Sequence, residues 1–196
     1  MGLKMVTVTG KWQLAFTLTE LMVTIAIIAI LATIAIPAYT SLICTTKISS
    51  YTSQLHAALL LTRSEAIKRG RSVNICRSSN AQTTTPTCAS VMSNSSTNTG
   101  WGEGWLIYVD GNNDNIYNSD DVLIQVQGAM INPLAAGSII PFPNRNRLTY
   151  NSTGQIFGTF MRFVVSRPIS DSDASHDRLI CIASGGRARV AISACS

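Results

Sequence analysis

The chain is expected to fold as α+β, with one long N-terminal helix packed on a mostly antiparallel β-sheet head. Three observations lead there. An uncharged apolar tract runs from Leu21 to Ile36. Apolar residues then recur at spacings of three and four as far as Ala66, which is one face of a helix. From residue 71 onward, short β-type runs alternate with turn-forming residues.

Counted from Phe16, the apolar tract is about as long as the roughly 20 residues a helix needs to cross a bilayer. Glu20 is its one ionisable side chain. A carboxylate near the end of a membrane helix is costly, so it reads as functional. A secretory signal is one rival reading. Lys4 and Lys11 do precede the tract, but the small residue at a plausible cut, Ala15, lies before the tract and not after it. A plain anchor is a second rival, which accounts for the length but not for Glu20.

The run Phe16-Thr17-Leu18-Thr19-Glu20, after a short basic leader and before an apolar helix, resembles the start of a type IV prepilin. The resemblance implies that a prepilin peptidase cuts between Ala15 and Phe16 and methylates the new amine. Glu20 then stands fifth in the mature chain, the family's place for this acid. Pro37 falls where many pilins carry a helix-kinking proline. The family usually has Gly before the cut; Ala15 keeps the small size. Glu20 buried among packed apolar helices would protonate or destabilise them. A neighbouring subunit's Phe16 ammonium would neutralise it, which makes Glu20 an assembly residue. The alternative is a carboxylate snorkelling to the membrane interface. The implied partners are other major and minor pilins, the prepilin peptidase and the inner membrane. The chain would cross that membrane once, with its head in the periplasm, and then pass to a pilus at the cell surface.

The expected division is a leader over 1–15, a membrane or filament-core half-helix over 16–38, an amphipathic half-helix over 39–70 and a β-rich head over 71–196. The chain has 196 residues, 46% hydrophobic and 13% charged, which leaves one soluble domain beyond the membrane segment. Losing Lys4 and Lys11 with the leader lowers the formal charge from +5 to +3, only mildly basic. Five cysteines are present, and an exported head meets an oxidising compartment. The expected disulfides are Cys76–Cys88 and Cys181–Cys195, each closing a short loop, although sequence leaves connectivity open. Cys44 is left over. A metal site is the rival, but no Cys-x-x-Cys occurs, and neither His56 nor His176 completes a metal-ligand spacing.

In the second half of the helix, Ile48, Tyr51, Leu55, Ala58, Leu59, Thr62 and Ala66 form the apolar stripe. Gly70 is a natural stop, with Lys68 and Arg69 in the last turn where cations suit the helix dipole. A helix from Phe16 to Arg69 would be roughly 80 Å long. Strands are expected over Ser72–Arg77, Trp105–Val109, Val122–Val126, Leu148–Tyr150, Thr159–Val165 and Leu179–Ala183. Ser184-Gly185-Gly186 then turns into Arg187–Ile192, a terminal hairpin.

The Glu65–Gly70 helix end, the strand with Cys76, the Trp-rich segment before Val109-Asp110 and the late Gly186-Arg187-Ala188-Arg189-Val190 strand together resemble the GspH/FimT family. That family comprises minor pilins and pseudopilins. The resemblance implies a minor component near a filament tip, of a type IV pilus or of a type II secretion pseudopilus.

Charge in the head is segregated. Glu103, Asp110, Asp114, Asp120 and Asp121 lie between Trp101 and Gln125 with no Lys or Arg. Beyond Pro141, every basic residue is Arg: Arg145, Arg147, Arg162, Arg167, Arg178, Arg187 and Arg189, against Asp171, Asp173 and Asp177. Arg forks hold phosphate oxygens in a way Lys does not. Arg187 and Arg189 are two apart on an expected strand, so they share a face. In the FimT branch, a Gly-Arg-x-Arg motif near the C-terminus is associated with DNA binding in natural transformation. Gly186, Arg187 and Arg189 match it in place, which implies double-stranded DNA as a partner. The alternative is a solvated strand face, or ion pairs with Asp171, Asp173 or Asp177.

Asp110, Asn112, Asp114, Asn118 and Asp121 fall at positions 1, 3, 5, 9 and 12 of an EF-hand-like loop, which raises calcium as a ligand. However, Asn115 stands where the invariant Gly belongs, and Asp121 replaces the long Glu. The preferred reading is an Asn/Asp hairpin connection with no cofactor. No nucleophile elbow, phosphate-binding loop or metal-ligand spacing suggests an enzyme. The function expected is that of a minor pilin of the type IV pilus that binds DNA non-specifically for uptake. The alternatives are a structural priming pilin for assembly and twitching, and a type II secretion pseudopilin.

Overall fold

The computed structural model describes residues 16–90, 99–131, 137–156, 158, 160–166 and 177–195, without the side chains of 37 and 38. The leader 1–15, with Ala15, lies outside these residues, as do Arg167, Asp171, Asp173 and His176.

Helix α1 spans Leu18–Arg69. Its start is set by Thr17, whose Oγ1 accepts the Glu20 amide at 3.2 Å, an N-cap that satisfies one free donor of the first turn. Glu20 therefore sits at the third helical position, where a negative charge suits the helix dipole. The first half of the helix exposes Leu21, Ile25, Ile28, Leu31 and Ile34. Among the described residues, α1 is the one helix long and apolar enough to cross a membrane. Its end is a Schellman turn. Gly70 has φ 62°, its amide donates to Ile67 O, and the Arg71 amide donates to Ala66 O. Glu65 takes Arg69 Nε at 2.6 Å and Lys68 Nζ at 3.4 Å, which ties down the last turn.

The head is built of two four-stranded sheets. The strands are β1 (Val73–Arg77), β2 (Trp105–Val109), β3 (Val122–Gln127), β4 (Ser138–Phe142), β5 (Arg147–Tyr150), β6 (Met161–Ser166), β7 (Arg178–Ile182) and β8 (Ala188–Ala191). One sheet has the order β3-β2-β1-β5 and the other β4-β6-β7-β8. Every strand pairing is antiparallel. The expected antiparallel head is therefore present, but as two sheets.

The expected stripe on the helix is the buried one. Ile48, Leu55, Ala58, Leu59 and Ala66 join Ile75, Ile107, Leu148 and Tyr150 of the first sheet in one core, together with Phe163, Val165, Ile180 and Ile182 of the second. Burying side chains such as Leu55 and Leu59 stabilises the fold by about 1.5–3 kcal/mol each. Trp101, in the short 3₁₀ turn Trp101–Glu103, meets Phe163 edge-on with ring centroids 5.1 Å apart and donates Nε1 to Arg145 O.

β1 and β2 are buried along their full length, on both faces. Alternation sends Ile75 and Ile107 to the main core, and Cys76, Leu106 and Tyr108 to a second cluster with Ala81. The Cys76–Cys88 disulfide closes the connection after β1 beside that cluster. The Cys181–Cys195 disulfide ties β7 to the C-terminal tail. Both expected pairings are present, and Cys44 is free and half-buried.

Strand β4 was not expected from the sequence. Its Pro141 and the following Pro143 argue against a strand, since proline cannot donate to a ladder. The structure resolves the conflict by placing β4 at a sheet edge, where β6 is its strand partner and Ile139 makes an isolated bridge to Gly100 on the other side.

Candidate functional site

The last hairpin is held from both sides. His56 Nε2 meets Ala188 O at 3.3 Å, and Arg63 Nη2 donates to Gly185 O at 3.2 Å. The Ile156 amide donates to Ser184 O. Inside the turn, Gly186 N donates to Ala183 O at 2.8 Å and Ala183 N to Arg187 O at 3.2 Å.

The two glycines of the turn differ. Gly185 is exposed, and a Cβ there would meet nothing within 4 Å. Gly186 is buried at φ 77°, and a Cβ there would overlap the Gly154 carbonyl oxygen. Gly186 is thus required by packing, and the open backbone beside the arginines belongs to Gly185.

Arg187 and Arg189 are exposed and flank the buried Ala188, so they share the outer face as expected. The register extends that face. Arg162, Cys181 and Arg189 stand side by side on β6, β7 and β8. Arg162 is exposed, and its guanidinium lies over the Phe142 ring, 5.3 Å from the centroid. The four strands of this sheet contain Arg162, Arg178 and Arg189 and no acidic residue. Neither Arg187 nor Arg189 makes an ion pair with a carboxylate among the described residues. Phe160, Cys181, Ala183, Arg187, Arg189 and Cys195 line a half-open cleft of about 460 Å³. Sequence reading did not single out Arg162 or Phe160; the two-residue alternation leading into Met161–Ser166 was the signal that could have placed them on the face of Arg189.

The acidic loop between β2 and β3 is organised by its own side chains. Asp121 accepts the Gly111 amide at 2.8 Å and the Asn118 amide at 2.9 Å. Asp114 accepts the Ile116 amide and the Asn112 and Asn118 side-chain amides. Asp110 is buried; its Oδ2 accepts the Asn115 amide and Asn74 Nδ2, and its Oδ1 has no partner among the described residues. Asn113 and Asn115 adopt φ 60°, a conformation that asparagine tolerates. Among the described residues, no group of three or more His, Cys, Asp or Glu side chains is arranged to hold a metal. The sheet below carries Tyr108, whose hydroxyl donates to Asn115 O and whose phenol pKa is raised, first by burial.

Phe16 and Glu20 are both exposed at the start of α1, four residues apart. The expected cut between Ala15 and Phe16 falls at the boundary of the described residues.

Residues 52–186 match the family described as type II transport protein GspH. Residues 13–36 match the prokaryotic N-terminal methylation motif. Two crystal forms of the type IV minor pilin FimU of Pseudomonas aeruginosa PAO1 share the fold. One aligns at TM-score 0.53 and 17% identity over 74% of this chain and 89% of that one. The other aligns at 0.50 and 18% over 73% and 91%. No curated protein sequence matches the chain significantly.

Proposed function

The chain belongs to the GspH family, and we propose that it is a minor pilin of a type IV pilus that presents a DNA-binding face. Its apolar helix and methylation motif fit a membrane-anchored pilin. Prepilin peptidase would process it at Ala15–Phe16, and Glu20 would meet a neighbouring subunit's Phe16 amine during assembly with other pilins. Its head would lie in the periplasm and then on the filament.

The observation that carries the DNA reading is the shared outer face of Arg187, Arg189 and Arg162, in a sheet whose strands lack acidic residues. The family match ends at Gly186, so the two late arginines lie beyond it. Contact through guanidinium forks would be backbone-directed, indifferent to sequence and sensitive to salt. A few phosphates per head imply weak binding, on the order of 10⁻⁴–10⁻⁶ M. Several heads on one filament would strengthen it through avidity.

The test compares wild type with Arg187→Gln/Arg189→Gln for transformation frequency, piliation and salt-dependent binding of duplex DNA. Lost transformation and binding with normal piliation is the expected result. Normal transformation and unchanged affinity in the double variant would overturn the assignment. The family description favours a second reading, a minor pseudopilin of a type II secretion system. Deletion would then abolish exoprotein secretion and leave transformation intact.

A further inference from the structure

We propose that the outer face of the β4-β6-β7-β8 sheet is a platform for single-stranded DNA, on which one unpaired base stacks against Phe160 while Arg162, Arg187 and Arg189 hold the flanking phosphates; this rests on the DNA reading above.

Phosphates of a duplex need only cations on an accessible surface. This face offers more. Phe160 lies two residues before Arg162, and Arg187 two before Arg189, so Phe160, Ala183 and Arg187 continue the same face one step beyond the row of Arg162, Cys181 and Arg189. The cleft between the late arginines is walled by Phe160, Ala183 and the Cys181–Cys195 bridge, and it lies within the usual size range of small-ligand pockets. Phe160 is 44% exposed. A duplex keeps its bases stacked inside and offers this apolar hollow nothing to fill it. An unpaired base offers a flat apolar surface joined to two phosphates. An exposed aromatic bracketed by arginines is the arrangement that single-stranded nucleic acid favours, because every base has a face to stack. Arg162 is positioned for this by Phe142, whose ring supports its guanidinium. Arg162 and Arg189 are two strands apart, about 10 Å by strand spacing, so they bracket the central strand rather than crowd one phosphate.

The experiment measures anisotropy of labelled oligothymidine and of a blunt duplex of equal length, with the full chain in detergent micelles at low and moderate salt. The single strand should bind about tenfold tighter, the effect of one base stacked on an aromatic ring. Phe160→Ala should remove that advantage and leave duplex affinity unchanged. Phe160→Trp should retain it and show indole quenching on binding, which also guards against a folding defect in the alanine variant. Arg162→Gln should weaken both ligands and flatten their salt dependence. Equal affinity for both DNAs, untouched by Phe160→Ala and with no quenching in Phe160→Trp, would overturn the platform and leave duplex binding standing. Binding of neither DNA by wild type would overturn the DNA reading, and the platform with it.

Discussion

Gly186 and Gly154 touch backbone to backbone: Gly186 sits where any side chain would overlap the Gly154 carbonyl oxygen. Both residues have positive φ, at 77° and 74°. The Gly-Arg-x-Arg run therefore combines two tasks, with its glycine closing the fold and its arginines facing solvent.

Gly186→Ala should destabilise the head by about 2 kcal/mol or more, from the left-handed conformation together with the overlap. Gly185→Ala, in open space, should cost far less. Thermal denaturation of the two variants separates them. Equal melting temperatures would mean that the turn relaxes freely.

Arg77 is buried, with its Nη2 2.7 Å from Glu103 Oε2 and its Nε donating to Gly100 O. Arg77→Met should cost about 2–3 kcal/mol, because the half-buried Glu103 loses its cation and the Gly100 carbonyl is left with the Glu103 amide. Urea denaturation measures this, and a loss below about 0.5 kcal/mol, the usual limit for surface substitutions, would show that water replaces the guanidinium.

Tyr108 and Tyr150 both have phenol pKa values raised by burial, opposed at Tyr108 by Arg147 and at Tyr150 by Arg63. A raised folded pKa means that the neutral phenol is favoured in the fold. The associated stability is fully present below the unfolded tyrosine pKa of about 10 and is lost as pH rises above it. Phenolate absorbance should therefore appear for these two residues only with alkaline unfolding. Reversible titration of every tyrosine near pH 10, with the fold intact, would contradict this.

Asp121→Ala should loosen the β2–β3 loop by about 1–2 kcal/mol, since the amides of Gly111 and Asn118 lose their acceptor. Millimolar calcium should leave the melting temperature of wild type unchanged, as expected for a loop closed by its own asparagines and aspartates. A calcium-dependent rise that disappears in Asp110→Asn would instead establish an ion site.

Opening Cys76–Cys88 or Cys181–Cys195 by paired serine substitution should each cost about 3 kcal/mol on the chain-entropy account for loops of this size. Chemical denaturation of each pair checks it. If one pair costs nothing, its loop is already held by packing.

Much of this protein could be read directly from its sequence. The apolar tract with Glu20, the stripe from Ile48 to Ala66, the Gly70 stop and the terminal hairpin all follow from local rules: the periods 3.6 and 2, and the turn preferences of glycine. Two short-range cysteine spacings predicted the disulfides for the same reason. Tertiary structure decided what depends on residues distant in the chain. Pro141 lies in a strand because that strand is at an edge, which no local window reveals. Gly186 is indispensable because Gly154 arrives beside it. Arg162 joins Arg189 because β7 sets the two strands in register, and register is chosen by burying Phe163, Ile180 and Ile182 together. The sequence by itself determined which segments are helix and hairpin, since those contacts are near in the chain. Only the packing of two sheets on one helix face decided which arginines share a surface.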